Sequence, residues 1–126
     1  MGGGEPLPHE IRERIVPGLR EAAVRVWLAR AGEQPLGVCV VQLGYSTFAA
    51  QPRWNVHDLA VVPEARGLGI GRRLLEAVLA AATDAGCSAV SLEVRQDNAP
   101  ARHLYASLGF EAGDHPMDFW VRSLTG

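Results

Sequence analysis

The chain has no lysine: all 12 of its basic side chains are arginine. That excludes a lysine Schiff base, and it also excludes the phosphate loop that ends in Lys followed by Ser or Thr. Only two cysteines occur, Cys39 in GVCVV and Cys87 in DAGCSAV. Neither has ligand-like spacing, so no zinc site or disulfide framework is expected, and no metal. Both read as small buried hydrophobes in a reducing compartment, which points to the cytoplasm. Charge of one sign is not in surplus, since 12 basic and 14 acidic residues leave a net charge of −2. This argues against a nucleic-acid or anionic-membrane partner. No apolar run approaches the roughly 20 residues of a membrane span, and MGGGEPLP at the N-terminus lacks an apolar signal core. Internal repeats and linkers are missing too, so residues 1–126 read as one domain, large enough to bury its own core, behind a disordered leader at Met1 to Pro6.

What is present centres on Asn55 to Gly71, NVHDLAVVPEARGLGIG. Val56 to Val62 reads as a buried strand, Pro63 opens a turn, and Gly67, Gly69 and Gly71 lead into an amphipathic helix. Glycines permit positive φ and close approach of a ligand. Their N–H groups then converge at the positive end of the helix dipole, which makes a phosphate site. A dinucleotide fingerprint would place glycine where Arg72 stands. The remaining readings are another phosphate loop, or a tight turn before a helix.

Taken in order, Ile11 and Ile15 support a short helix over Pro8 to Val16, with Glu10 in its first turn and Pro17-Gly18 stopping or kinking it. Leu19 to Ala23 is ambiguous. Val24 to Ala31 alternates as a half-exposed strand. Gly32 to Pro35 turns into a more buried strand over Leu36 to Leu43, which gives an antiparallel hairpin. Gly44 to Arg53 (GYSTFAAQPR) either lines an acceptor pocket or is a plain hairpin loop. Trp54 to Val62 is the central strand.

Ile70, Leu74, Leu75, Val78, Leu79 and Ala82 share one helix face, with Arg72, Arg73 and Glu76 facing away, and Gly86 suits the left-handed stop. Ala89 to Arg95 is a strand whose connection makes it parallel to the central one. Asn98 caps a helix with Pro100 in its first turn and Ala101, Leu104, Tyr105 and Leu108 on its buried face; Gly109 ends it. Phe110 enters a last antiparallel pair closed by Met117 to Leu124. The fold class is α/β with a mixed sheet.

Two stretches give a more specific reading. Arg66-Gly67-Leu68-Gly69-Ile70-Gly71 resembles the Arg/Gln-x-x-Gly-x-Gly/Ala pyrophosphate loop of the GNAT family of acetyl-coenzyme A dependent N-acetyltransferases. The segment from Asn98 to Phe110, NAPARHLYASLGF, resembles that family's Asn-x-x-Ala-x-x-Leu-Tyr-x-x-x-Gly-Phe motif, at the usual distance beyond the loop. The likeness covers residues 36 to 124 well and the N-terminal part poorly.

The resemblance implies that acetyl-CoA is the cofactor. Its pantetheine arm would pair with Leu59, Ala60 and Val61 where the two parallel strands, ending near Val62 and Arg95, splay apart. Its pyrophosphate would lie over Arg66 to Gly71 and Arg72, with Asn98 touching the arm. An amine attacks the thioester directly, a backbone N–H near Val61 steadies the developing oxyanion, and Tyr105 protonates the departing thiolate. Tyr105 is otherwise a core aromatic at helical spacing.

An alkylammonium must lose a proton before it attacks, so a base is needed. Glu93 matches the base of the ribosomal-protein N-terminal acetyltransferases, which share Leu-Glu-Val-Arg before the Asn. His57 and Asp58 align with the Glu-Asp pair of diamine acetyltransferases, a branch also echoed by Tyr45-Ser46-Thr47, with His57 standing where that branch has its catalytic Glu. Each has a structural alternative: Glu93 holding Arg95 or a helix end, Asp58 a backbone N–H, His57 a strand-edge contact.

The implied function is acetyl transfer to a primary amine of a small molecule, polyamine or amino-acid-like. The alternatives are a protein N-terminal acetyltransferase and a non-catalytic acyl-CoA binding module. The family opens with a strand and helix not evident here, so Val24 to Ala31 is expected as an exposed edge, which a homodimer would cover.

Overall fold

The computed structural model describes residues 9–114 and 117–125. The leader at Met1 to Pro6 lies outside them. The order is α1 (His9–Glu21), β1 (Val24–Ala31), β2 (Gln34–Ser46), β3 (Gln51–Val61), a short 3-10 turn (Pro63–Ala65), α2 (Ile70–Asp84), β4 (Ala89–Leu92) and α3 (Ala99–Ser107). The four strands form one mixed sheet in the order β1-β2-β3-β4. β1, β2 and β3 pair antiparallel, and β4 runs parallel to β3 as the connection through α2 requires.

One face of the sheet is closed by α2. Cys39, Val41, Trp54 and Val56 from the strands meet Leu74, Leu75, Val78 and Ala82 of the helix in a single apolar cluster. Leu75, Val78, Val41 and Cys39 are fully buried, the Leu and Val side chains each contributing on the order of 1.5–3 kcal/mol. Burial, and to a lesser degree the charge of Asp58, pushes the Cys39 thiol up to about 11, so it is a packing group rather than a nucleophile. Trp27 tilts against Trp54 with ring centroids 6.1 Å apart, and the Arg25 guanidinium lies 5.2 Å from the Trp54 ring centre. Gly37 lets the start of α2 come down onto the sheet: a Cβ there would sit 3.0 Å from Ile70 Cγ2 and 3.1 Å from the Ala60 carbonyl oxygen. The N-terminus of α2 is thereby set against the end of β3.

Several boundaries differ from the sequence reading. α1 continues through Pro17 to Glu21. A proline removes only its own N–H donor, and on an exposed helix water satisfies the carbonyl that is left over. β2 reaches Ser46 and β3 starts at Gln51, so Gly44 to Arg53 is the end of a hairpin. Its tip is held by the Ala49 N–H donating to Ser46 Oγ at 3.1 Å, and Phe48 at the tip is fully exposed. β4 stops at Leu92 rather than Arg95, because its pairing with β3 ends at Val56–Leu92.

The expected closing strand, Met117 to Leu124, is absent. Those residues form no strand among the described residues, and Phe119 and Trp120 are 85% and 86% exposed. The alternation is there, but a strand also needs a hydrogen-bonded neighbour, and this segment has none among the described residues. The stops at Gly86 (φ 78°) and Gly109 (φ 92°) are as expected.

Candidate active site

The site is set by how β3 and β4 separate. Their parallel pairing runs from Arg53–Ala89 to Val56–Leu92 and then ends, while β3 continues to Val61. The divergence has a cause in β3 itself. Against β2, Val41 pairs with Val56 and Val40 with Asp58, which leaves His57 as the extra residue of a bulge. A bulge bends its strand and sharpens its twist. From His57 to Val61 the β4 side of β3 therefore has no strand partner among the described residues, and Leu59, Ala60 and Val61 lie along that open edge.

At the end of this edge the Val62 N–H donates to the Leu36 carbonyl at 2.8 Å, and the 3-10 turn carries the chain to the glycines. Gly67 (φ 83°) and Gly69 (φ 79°) are both left-handed, a conformation open to glycine at little cost. Some amides of the loop are spent within it: Arg66 N–H on the Pro63 carbonyl at 3.3 Å, and Leu68 N–H on the Ala65 carbonyl at 3.4 Å. The first helical bond is donated by Arg73 to the Gly69 carbonyl at 3.1 Å. The amides of Gly67, Gly69, Ile70, Gly71 and Arg72 find no backbone acceptor among the described residues. They stand at the positive end of α2, the arrangement in which a helix N-terminus receives an anion.

α3 comes down beside the first turn of α2. A Cβ on Gly71 would lie 3.6 Å from Leu104 and 3.8 Å from Leu59, and Arg72 donates to Ser107 Oγ. Nothing in the sequence signals that bond, since the two residues belong to different helices. Asn98 caps α3, its Oδ1 accepting from the Ala101 N–H at 3.2 Å. Tyr105 is half-buried against the core cluster, its ring 6.0 Å edge-on from Phe110. Burial first, and then Cys39, push its hydroxyl above the ordinary tyrosine value, which favours the protonated form.

Across the divergence, β4 carries Ser91 on the face opposite Val90 and Leu92, and Glu93 follows directly after the strand. Asn55 of β3 ties them together. Its Nδ2 donates to Ser91 Oγ at 2.9 Å and to the two Glu93 carboxylate oxygens at 3.2 and 3.4 Å. Arg95 pairs instead with Asp97 at 2.9 Å, so it does not hold Glu93. The sequence reading missed Asn55. Its one signal is alternation, because Asn55 shares the polar face of β3 opposite Trp54 and Val56. Among the described residues no group of three His, Cys, Asp or Glu side chains is arranged to hold a metal, and no helix is long and apolar enough to cross a membrane.

A bulged strand feeding a glycine loop and a helix N-terminus, with α3 beside it, is matched across most of the chain. The sequence model described as Acetyltransferase (GNAT) family covers residues 3–110. The chain belongs to the GNAT acetyltransferase family. Among curated relatives of this GNAT chain, a thialysine N-epsilon-acetyltransferase of Bos taurus is 40% identical over 86 residues, 65% of this chain and 50% of that protein. The N-alpha-acetyltransferase RimI of Mycobacterium tuberculosis is 41% identical over 85 residues, 66% of this chain and 49% of that protein. The chain thus spans about half the length of each. Of solved structures, a probable acetyltransferase superposes with a TM-score of 0.84 at 23% identity, covering 98% of this chain and 83% of that one, which shows the fold. Integron cassette protein HFX_CASS3, from the mobile metagenome of Cole Harbour Salt Marsh, gives 0.78 at 29% identity over 98% of this chain and 76% of that one.

Proposed function

We propose that this GNAT domain is an acyltransferase that moves the acetyl group of acetyl-CoA to a primary amine of a small molecule. The observation that carries the reading is the continuity of two binding features: the open edge of β3 past Val56 leads directly to the amides of Gly67, Gly69, Ile70, Gly71 and Arg72, which have no backbone acceptor among the described residues. A ligand with an extended amide-bearing arm and a pyrophosphate fits both at once. Acetyl-CoA supplies the activated acetyl thioester when bound.

The chain's own groups do the rest. The amides of Gly67, Gly69, Ile70, Gly71 and Arg72 hold the pyrophosphate, with Arg66 and the exposed Leu68 at the rim. Peptide groups of Leu59, Ala60 and Val61 align the arm, and an N–H near Val61 faces the oxygen on which charge develops. Asn98 reaches the arm with the amide nitrogen that its capping role leaves over. Tyr105 Oη gives a proton to the departing sulfur. Glu93, held at a fixed angle by Asn55, takes the proton from the incoming ammonium; His57 on the bulge and Asp58 beside it are the other bases in reach of the edge.

The two relatives frame the acceptor: one is named for a side-chain amine of a small amino acid, the other for α-amines. We favour the small-molecule amine, because an open cavity lies beside Asn55. The choice of base is checked by the acidic limb of rate against pH. Glu93→Gln is expected to lose that limb with most of its activity, whereas His57→Gln keeps it. The reverse outcome moves the role to His57, and two unchanged profiles leave Asp58 or water.

The same domain is expected to associate. β1 is an edge strand with Val26 and Leu28 about half exposed, which a second copy in a C2 dimer would cover. Light scattering at high micromolar concentration is expected to give twice the chain mass; a stable monomer contradicts it.

A further inference from the structure

Beside Asn55, on the sheet face away from α2, is an open cavity of about 420 Å³. Its floor is polar, made by Gln42, Arg53 and Asn55, and its wall is formed by Ala22, Ala23 and Val24 where α1 passes into β1. Gly44 stands opposite Arg53 in the β2–β3 register and brings no side chain, so the space over Arg53 stays clear. Among the described residues the Arg53 side chain has no hydrogen-bond, ion-pair or ring partner. Other arginines are engaged: Arg25 with Trp54, Arg72 with Ser107, Arg95 with Asp97.

Asn55 belongs to both features. It lines the cavity, and its Nδ2 donates to the Glu93 carboxylate. Among the described residues the face therefore presents an unpaired guanidinium at one end and a carboxylate at the other, with an amide between them. Arg53 is level with Ala89 on β4, and Glu93 lies four residues further along, about 13 Å at ~3.3 Å per residue. A spacing of that order suits an amine separated from its carboxylate by several methylenes better than one with both groups on the same carbon.

We infer that this cavity is the acceptor site and that Arg53 selects amines bearing a distal carboxylate, with the amine at Glu93 and the carboxylate on the Arg53 guanidinium. A guanidinium binds a carboxylate through two parallel hydrogen bonds, which fixes orientation as well as charge. The inference rests on the reading of this domain as an amine acetyltransferase and names its substrate class.

The test uses two primary amines that differ in one group, 6-aminohexanoate and pentylamine, with acetyl-CoA and the full chain. Wild-type kcat/KM is expected to favour 6-aminohexanoate by roughly tenfold or more, mainly through KM. Arg53→Gln is expected to bring that ratio to near one, and Arg53→Lys to restore part of it. A wild-type ratio near one, or a ratio that survives Arg53→Gln, overturns the carboxylate site. If neither amine is acetylated, the amine panel decides the acetyltransferase reading separately, and calorimetric titration of 6-aminohexanoate decides the cavity. Binding by the wild type that Arg53→Gln abolishes supports it; no binding, or binding that Arg53→Gln retains, overturns it.

Discussion

Tyr105→Phe is expected to lower turnover by about 10² or more, the scale on which a positioned proton donor acts, while leaving acetyl-CoA affinity unchanged. The substitution is narrow. The ring stays half-buried against the core and edge-on to Phe110, so packing is retained and only the hydroxyl is lost. That hydroxyl suits a donor, because burial and the neighbouring Cys39 keep it protonated to a higher pH than an ordinary tyrosine. The sign follows directly. A raised value extends the protonated form upward in pH, so the alkaline fall of wild-type kcat is expected above the ordinary tyrosine range. If turnover of the variant stays within a factor of two where chemistry limits the rate, Tyr105 is a packing residue and the thiolate leaves without it.

Gly69→Val is expected to weaken acetyl-CoA binding at least tenfold, which corresponds to only about 1.4 kcal/mol. Two effects act together. Gly69 has φ 79°, and a β-branched residue held there costs on the order of 1–3 kcal/mol in backbone strain. A Cβ at this position meets no protein atom within 4 Å, so the added bulk stands in open space at the loop. A phosphate has to approach through that space. Circular dichroism separates loss of the site from loss of the fold, and a folded variant with wild-type calorimetric affinity would take the loop out of the site.

The glycine loop, the stop at Gly86 and the capping role of Asn98 were legible because each depends on residues close together in sequence. A left-handed stop or an N-cap is decided within a few positions. β4 was read three residues too long for the opposite reason. Val94 and Arg95 continue the alternation, but the strand ends where the bulge at His57 turns β3 away, and register between distant segments leaves no trace in either. Met117 to Leu124 shows the same limit, with a strand-like pattern that pairs with no strand among the described residues. The Asn55–Glu93 and Arg72–Ser107 contacts join residues 38 and 35 positions apart. For that reason the sequence offers Glu93, His57 and Asp58 as candidate bases without showing that Asn55 holds Glu93.

The central claim is that this domain moves an acetyl group from acetyl-CoA to an amine nitrogen. Its most direct test incubates the full chain with acetyl-CoA and a panel of primary amines, following free thiol by colour and the amine by mass. Thiol release that depends on the amine, with one N-acetylated product formed per thiol, is the result expected. Tight acetyl-CoA binding with thiol release no faster than in the absence of any amine would contradict it, and would leave a module that binds the cofactor without using it.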